Sequence, residues 1–204
     1  MDARLWFPAT ERNREPLAEV LGPLLPHAGL VLEIASGSGE HLCHFQQRFA
    51  ASHPQLRWQG SDPLETHRAS LAAWAAHLQL SAMAEPLALD ATQRPWPLLR
   101  PALMLCINMI HIAPWEACEG LMAEAGAQLP PGGRLVIYGP FLEDTVPTSA
   151  SNEAFDASLR SRDPRWGLRR LEEVTALAGR CNLVGDGRWP MPANNLTVVF
   201  RRPD

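Results

Sequence analysis

Residues 30–41 read Leu30-Val31-Leu32-Glu33-Ile34-Ala35-Ser36-Gly37-Ser38-Gly39-Glu40-His41, and this stretch decides the fold. Leu30 to Ile34 is a short apolar run bounded by turn residues, which predicts a β-strand. It leads directly into Gly37-Ser38-Gly39, after which Leu42, Phe45 and Phe49 recur at helical spacing. Glycines between a strand and a helix let the main chain turn tightly and approach a ligand with no Cβ in the way. Strand, glycine turn and helix in that order predict an α/β protein that binds its ligand at the carboxyl ends of parallel strands.

The pattern repeats outward from this unit. Leu56 to Gly60 is the second expected strand, ending at Ser61-Asp62-Pro63, and His67, Leu71, Trp74 and Leu78 form one stripe of the next helix. Pro86 to Leu89 is expected as a third strand ending in Asp90. Ala102 to Ile107 is a continuous apolar run, as for a strand buried on both faces. A helix from about Trp115 to Leu129 is closed by Pro130-Pro131-Gly132-Gly133, and Arg134 to Tyr138 is the fifth strand. Residues 181–188 and 196–201 are joined by a short Pro- and Asn-rich turn, so they pair antiparallel. Residues 1–28 form an N-terminal cap whose helix, 11–25, is lined by Leu17, Val20, Leu21 and Leu24. Residues 141–170 are a polar, Pro-interrupted insertion after the fifth strand, placed as a lid. The whole chain, 1–204, is expected to be one domain.

Composition narrows the chemistry. Eighteen basic residues face 22 acidic ones, a net of −4, which gives no electrostatic case for nucleic acid or membrane partners. Every basic residue is arginine. Without lysine there is no Schiff base and no phosphate-cradling P-loop. Cys43, Cys106, Cys118 and Cys181 form no CxxC pair, which fits free thiols in a reducing cytoplasm. The start, MDARLWFPATERNRE, lacks a signal-peptide layout, and the longest apolar stretch, Pro101 to Ile110, is too short for a bilayer. The expectation is a cytoplasmic protein with a small-molecule partner.

A lone GxG is a weak signal, but two features strengthen it. A dinucleotide fingerprint needs a third glycine where this chain has Leu42, whereas an acidic residue precedes the turn, giving Glu33-x-Ala35-x-Gly37-x-Gly39. That pattern resembles motif I of the class I S-adenosylmethionine-dependent methyltransferases, with Ala35 in place of the first glycine. Asp62 lies 23 residues beyond Gly39 and can accept from both hydroxyls of a ribose, while Asp90 can accept from an adenine amine. Arg12-Asn13, LEIASGSGEH, Ser61-Asp62-Pro63, Asn108-Met109-Ile110-His111, Tyr138-Gly139-Pro140-Phe141 and residues 151–167 (SNEAFDASLRSRDPRWG) widen the resemblance to nearly the whole chain. Together they are similar to the family known as domain of unknown function 938, which includes methyltransferase-like protein twenty-six. The resemblance implies a Rossmann-like class I methyltransferase fold with a seven-stranded, mostly parallel sheet in the order 3-2-1-4-5-7-6, strand 7 antiparallel. It also implies S-adenosylmethionine as cofactor.

On this reading the cofactor touches Arg12, Asn13, Glu33, Ala35, Ser36, Gly37, Ser38, Gly39, His41, Ser61, Asp62, Pro63, Asp90, Ala91, Asn108, Met109 and Ile110. Arg12 and Asn13 suit the methionine carboxylate, or form a solvated helix start. His111 suits a general base, since an imidazole titrates near neutrality, or else it caps a helix. Tyr138, Phe141, Asn152, Phe155 and Trp166 are candidates for the acceptor pocket, with core or lid packing as the competing account. His41, Cys43 and His44 make too sparse a set for zinc, and no metal is expected. Residues 160–170 carry five arginines, which read either as an anion site or as a solvated, ion-paired face.

The leading function is methyl transfer from S-adenosylmethionine to an O, N or S nucleophile of a small molecule. No Ser-His-Asp or Cys-His arrangement is present, and none is needed, because the reaction requires only alignment and exclusion of water. The absence of an Asn-Pro-Pro-Tyr motif argues against a DNA adenine acceptor. The alternatives are a binding module that holds the cofactor without turnover, and a nicotinamide-dependent oxidoreductase, against which Leu42 argues.

Overall fold

The computed structural model describes residues 2–204. Helix α1 (Pro8–Leu21) precedes β1 (Ala28–Ile34), α2 (Glu40–Phe49), β2 (Gln55–Ser61) and α3 (Glu65–His77). β3 (Leu103–Ile107), α4 (Trp115–Gln128) and β4 (Arg134–Gly139) follow. The chain continues through β5 (Phe141–Leu142), α5 (Ala150–Arg162), β6 (Arg169–Arg170), α6 (Leu171–Arg180), β7 (Val184–Met191) and β8 (Asn195–Arg201).

Six strands form one sheet in the order β2-β1-β3-β4-β8-β7. β2, β1, β3 and β4 are parallel, and β8 runs antiparallel to both of its neighbours. The terminal hairpin is therefore as expected, including its place beside β4. One expected strand is not formed. Residues 86–89 make no continuous ladder, and the edge beyond β2 carries only two parallel bridges, Trp58 with Met83 and Ser61 with Leu87. Between these bridges the outer segment has one residue more than β2, and Pro86 has no N–H to donate. The sheet thus has six strands rather than seven, with the seventh position held by an irregular segment.

Side-chain alternation along the strands builds two cores. Leu32, Ile34, Met104, Cys106, Leu135 and Ile137 point to one face and pack on α4 and α6. Val31, Leu105, Val136 and Tyr138 point to the other and pack with Leu17 and Leu21 of α1 and Leu42, Phe45 and Phe49 of α2. All five residues of β3 are buried, as expected for a strand covered on both faces. Leu42 is buried in the second core. The insertion contains α5, which its Pro-interrupted, polar sequence did not announce; Ser149 caps it by accepting from the Asn152 N–H. Among the described residues, no helix is long and apolar enough to cross a membrane.

Candidate functional site at the carboxyl ends of the parallel strands

β1 ends at Ile34, and the chain turns through three residues of positive φ: Ala35 (56°), Gly37 (56°) and Gly39 (85°). Ala35 holds a left-handed conformation that glycine adopts without strain. Gly39 is required for space as well as for φ, because a Cβ there would lie 2.6 Å from Leu71 Cα. Ser36 locks this turn to β2: its N–H donates to Ser61 O at 2.8 Å, and its Oγ accepts from the Ser61 N–H at 3.2 Å.

Asp62 closes the corner between the two strand ends. Its Oδ2 accepts from the Gly37 N–H at 3.0 Å, while its Oδ1 accepts from the Leu64 N–H and from His67 Nδ1, each at 3.0 Å. Oδ1 thus has both lone-pair directions engaged and Oδ2 has one left, which gives the carboxylate capacity for a hydroxyl donor. Glu33 is fully buried beside it, and its Oε2 has no hydrogen-bond partner. Burial, with the Asp62 charge adding to it against the lowering hydrogen bond of Ser36, pushes the Glu33 carboxyl up to about 8.

α1 contributes a second group. Asn13 Oδ1 accepts from His41 Nε2 at 2.7 Å, tying α1 to α2. Burial pushes the His41 imidazole down to about 3, so it is neutral and carries its proton on Nε2. Arg12 is exposed but near enough to act through charge on Tyr138. Ser38 Oγ donates to Glu40 at 2.7 Å. Asn108 follows β3 with φ 57°, and its N–H donates to Tyr138 O.

His111 lies where the loop after β3, the end of β4 and α5 meet. It is 3% exposed, its ring is 5.7 Å from that of Phe155 in an edge-to-face arrangement, and its Nδ1 has no partner. A Cβ on Gly139 would approach that Nδ1 to 3.2 Å and Asn108 Oδ1 to 3.7 Å, so glycine opens the space in which both groups converge. Burial first, and then the Arg169 charge, push the His111 imidazole down to about 4. It is therefore a neutral base at physiological pH.

The remaining candidates are dispersed. Asp90 Oδ1 accepts from the N–H and the hydroxyl of Thr92, capping a local turn, and Ala91 is buried where Gly120 approaches its carbonyl. Met109, Ile110 and Phe141 belong to the core on the α4 side, and Pro63 is exposed. Asn152 ties α5 to the turn between β7 and β8 by donating to Asn194 O at 3.0 Å. Trp166 stacks under Arg162 at 5.0 Å. The other arginines of that run are mostly committed: Arg160 pairs with Asp156, Arg165 with Asp163 and Arg170 with Asp144. His44 Nε2 lies 3.4 Å from Glu15 without a hydrogen bond, and burial lowers the pKa of its imidazole. Among the described residues there is no group of three or more side chains that could hold a metal ion.

Phe7, Ser70, Gly139 and Arg169 were missed as site residues. Phe7 lies on Gly37, where a Cβ would meet its ring at 3.0 Å, and is edge-on to His67 at 6.0 Å. Its N–H donates to Glu40, the Leu5 N–H donates to Ser70 Oγ, and Trp74 Nε1 donates to Leu5 O. Residues 4–7 are thereby strapped across the glycine turn. The apolar Leu5-Trp6-Phe7 ahead of α1 was the one signal in the sequence that pointed to such a segment.

The family model described as "Protein of unknown function (DUF938)" matches residues 4–202. The chain belongs to the DUF938 family. Its fold is also that of solved methyltransferases. An O-methyltransferase family 2 protein from Planctomyces limnophilus, in complex with apigenin, superimposes with a TM-score of 0.77 at 22% identity, covering 93% of this chain and 56% of that one. An O-methyltransferase family protein from Burkholderia thailandensis gives 0.75 at 20% identity, with 93% and 56% covered. CalO1, a methyltransferase of calicheamicin biosynthesis in its SAH-bound form, gives 0.68 at 15% identity, with 93% and 54% covered. This DUF938 chain thus spans just over half the length of those proteins, and the likeness establishes a Rossmann-like methyltransferase fold.

Proposed function

We propose that this chain binds S-adenosylmethionine over the Gly37–Gly39 turn and passes its methyl group to a hydroxyl of a small, largely apolar acceptor held beside His111. The bond from Gly37 N–H to Asp62 carries the reading, because it sets a buried carboxylate against a glycine turn at adjacent strand ends. The fit is supported by the absent Cβ atoms of the turn and by the unpartnered Oε2 of Glu33. Asp62 would hold the ribose, and Glu33, Arg12 and Asn13 the methionine end. The cofactor, when bound, supplies a methyl group already activated on a positive sulfur.

The chain's own residues then have three tasks. The turn and Asp62 fix the position of the cofactor, which supplies the alignment on which such a displacement depends. α5 and Phe155 exclude water. His111 accepts the proton that a hydroxyl must lose, and a base with so low a pKa suits an acidic hydroxyl such as a phenol better than an aliphatic alcohol. The exposed side chains of Phe155 and Ile112 give the approach to His111 an apolar character. The apigenin complex of one structural neighbour supports an aromatic hydroxyl as the acceptor class.

The test is transfer of labelled methyl from S-adenosylmethionine to a panel of phenols, catechols and aliphatic alcohols, with wild type and His111→Asn compared. The reading expects labelled phenolic ether, lost in the variant while affinity for S-adenosylhomocysteine is kept. Tight binding without labelled product in this panel or in cell extract would favour a non-catalytic module. Tighter binding of NAD would overturn the cofactor assignment.

A further inference from the structure

Of the five arginines in residues 160–170, Arg169 differs from its neighbours. It is half-buried, and no carboxylate lies within ion-pair distance among the described residues. Carbonyls hold it instead. Its Nε donates to Ile110 O at 2.9 Å, and its Nη2 donates to Ala113 O at 2.6 Å and to Arg165 O at 2.9 Å. Its guanidinium also lies over Trp115 at 5.8 Å. Two residues earlier, the Gly167 N–H donates to the carbonyl of His111 itself at 3.0 Å. The carbonyls of Ile110, His111 and Ala113 are therefore all gripped by a segment 56 or more residues away.

We propose that Arg169 is the positioning residue for His111, its fork of donors binding the 110–113 loop to the insertion so that the imidazole is held between Gly139 and Phe155. The proposal rests on the reading of His111 as the base. An arginine taken half out of water without a counter-ion is unfavourable, and a neutral donor would serve a purely structural bond. The charge also opposes protonation of His111, so the titration of the imidazole reports whether the guanidinium is in place. Among the described residues, no other charged group acts on that ring from the surrounding elements. Asp156 and Arg160 of α5 pair with each other, Arg170 pairs with Asp144, and Glu173 of α6 acts on Arg169 rather than on His111.

The experiment is NMR titration of the histidine Cε1 protons in wild type, Arg169→Gln and Arg169→Lys, with His111→Asn to assign the resonance, alongside steady-state kinetics. Removing the charge in Arg169→Gln should raise the His111 midpoint by about one unit. Arg169→Lys keeps the charge and loses the fork, so it should hold the wild-type midpoint while kcat falls about tenfold and affinity for S-adenosylhomocysteine stays the same. An unchanged midpoint in a folded Arg169→Gln overturns the proposal. Should that variant fail to fold, undiminished kcat in Arg169→Lys overturns it equally. Full turnover by His111→Asn together with the shifted midpoint would sink the base reading and leave the clamp standing.

Discussion

The amide of Gly37 donates to Asp62 Oδ2 at 3.0 Å, so the turn after β1 and the end of β2 share one carboxylate. Asp62 thereby orders the turn and, on the proposed function, offers an acceptor to the ribose. Asp62→Asn keeps an acceptor oxygen for one of these partners but loses the charge. Asp62→Ala should weaken S-adenosylhomocysteine binding by about 1.5–3 kcal/mol, and Asp62→Asn by less, measured by calorimetry. Equal affinities for wild type and Asp62→Ala would remove Asp62 from the site.

Asn13 holds His41 from the first turns of α1. His41 is buried, and truncation of Asn13 leaves its Nε2 proton without an acceptor. Asn13→Ala should lower stability by about 1–2 kcal/mol in urea unfolding, more than a single exposed bond is worth. A loss below about half a kilocalorie would show that water replaces the bond.

Stability should peak near pH 6.5, where opposing titrations balance. Glu33 ionises at about 8 in the folded protein against its ordinary 4.5, so the folded state keeps a proton that the unfolded chain loses. Stability therefore falls as pH rises from 4.5 to 8. His41 and His111, at about 3 and 4, stay neutral when folded while unfolded imidazoles protonate below 6.5. Their contribution is lost as pH falls from 6.5 towards 4, and two such groups outweigh Glu33 in that range. Glu33→Gln should flatten the alkaline limb, and thermal denaturation across pH 5–9 will test this.

Ser70 is completely buried and serves both sides of the strap, donating to Ser38 O at 2.7 Å and accepting from the Leu5 N–H at 2.8 Å. Phe7 lies over Gly37, so on the proposed reading a ligand entering over the turn would displace residues 4–7. Ser70→Ala removes a bond worth about 1 kcal/mol and should speed S-adenosylhomocysteine association about fivefold. Stopped-flow fluorescence would report it, since Trp6 packs edge-on to Trp74 at 4.4 Å. An unchanged rate would mean that ligand enters by another route.

The glycine turn, the run from Leu103 to Ile107 and the closing hairpin were all legible because each is a local pattern: periodicity, turn residues and a short connection. The 86–89 segment shows where that fails. Its composition suits a strand, but whether it pairs depends on register against β2, and one additional residue and Pro86 prevent a ladder. Phe141 and Trp166 show the same limit at the site, since an aromatic in a loop looks alike whether it enters the core or stacks on an arginine.

By itself the sequence determined the alternation of strands and helices, the sharp turn at Gly37–Gly39 and the acidic residues beside it, since these follow from backbone sterics and side-chain spacing within a few residues. The tertiary structure alone decided that His111 loses water between Gly139 and Phe155, that Arg169 grips its loop, and that Phe7 covers the turn. Desolvation and charge at a side chain are set by whatever packs around it, and here those neighbours come from segments up to about sixty residues away.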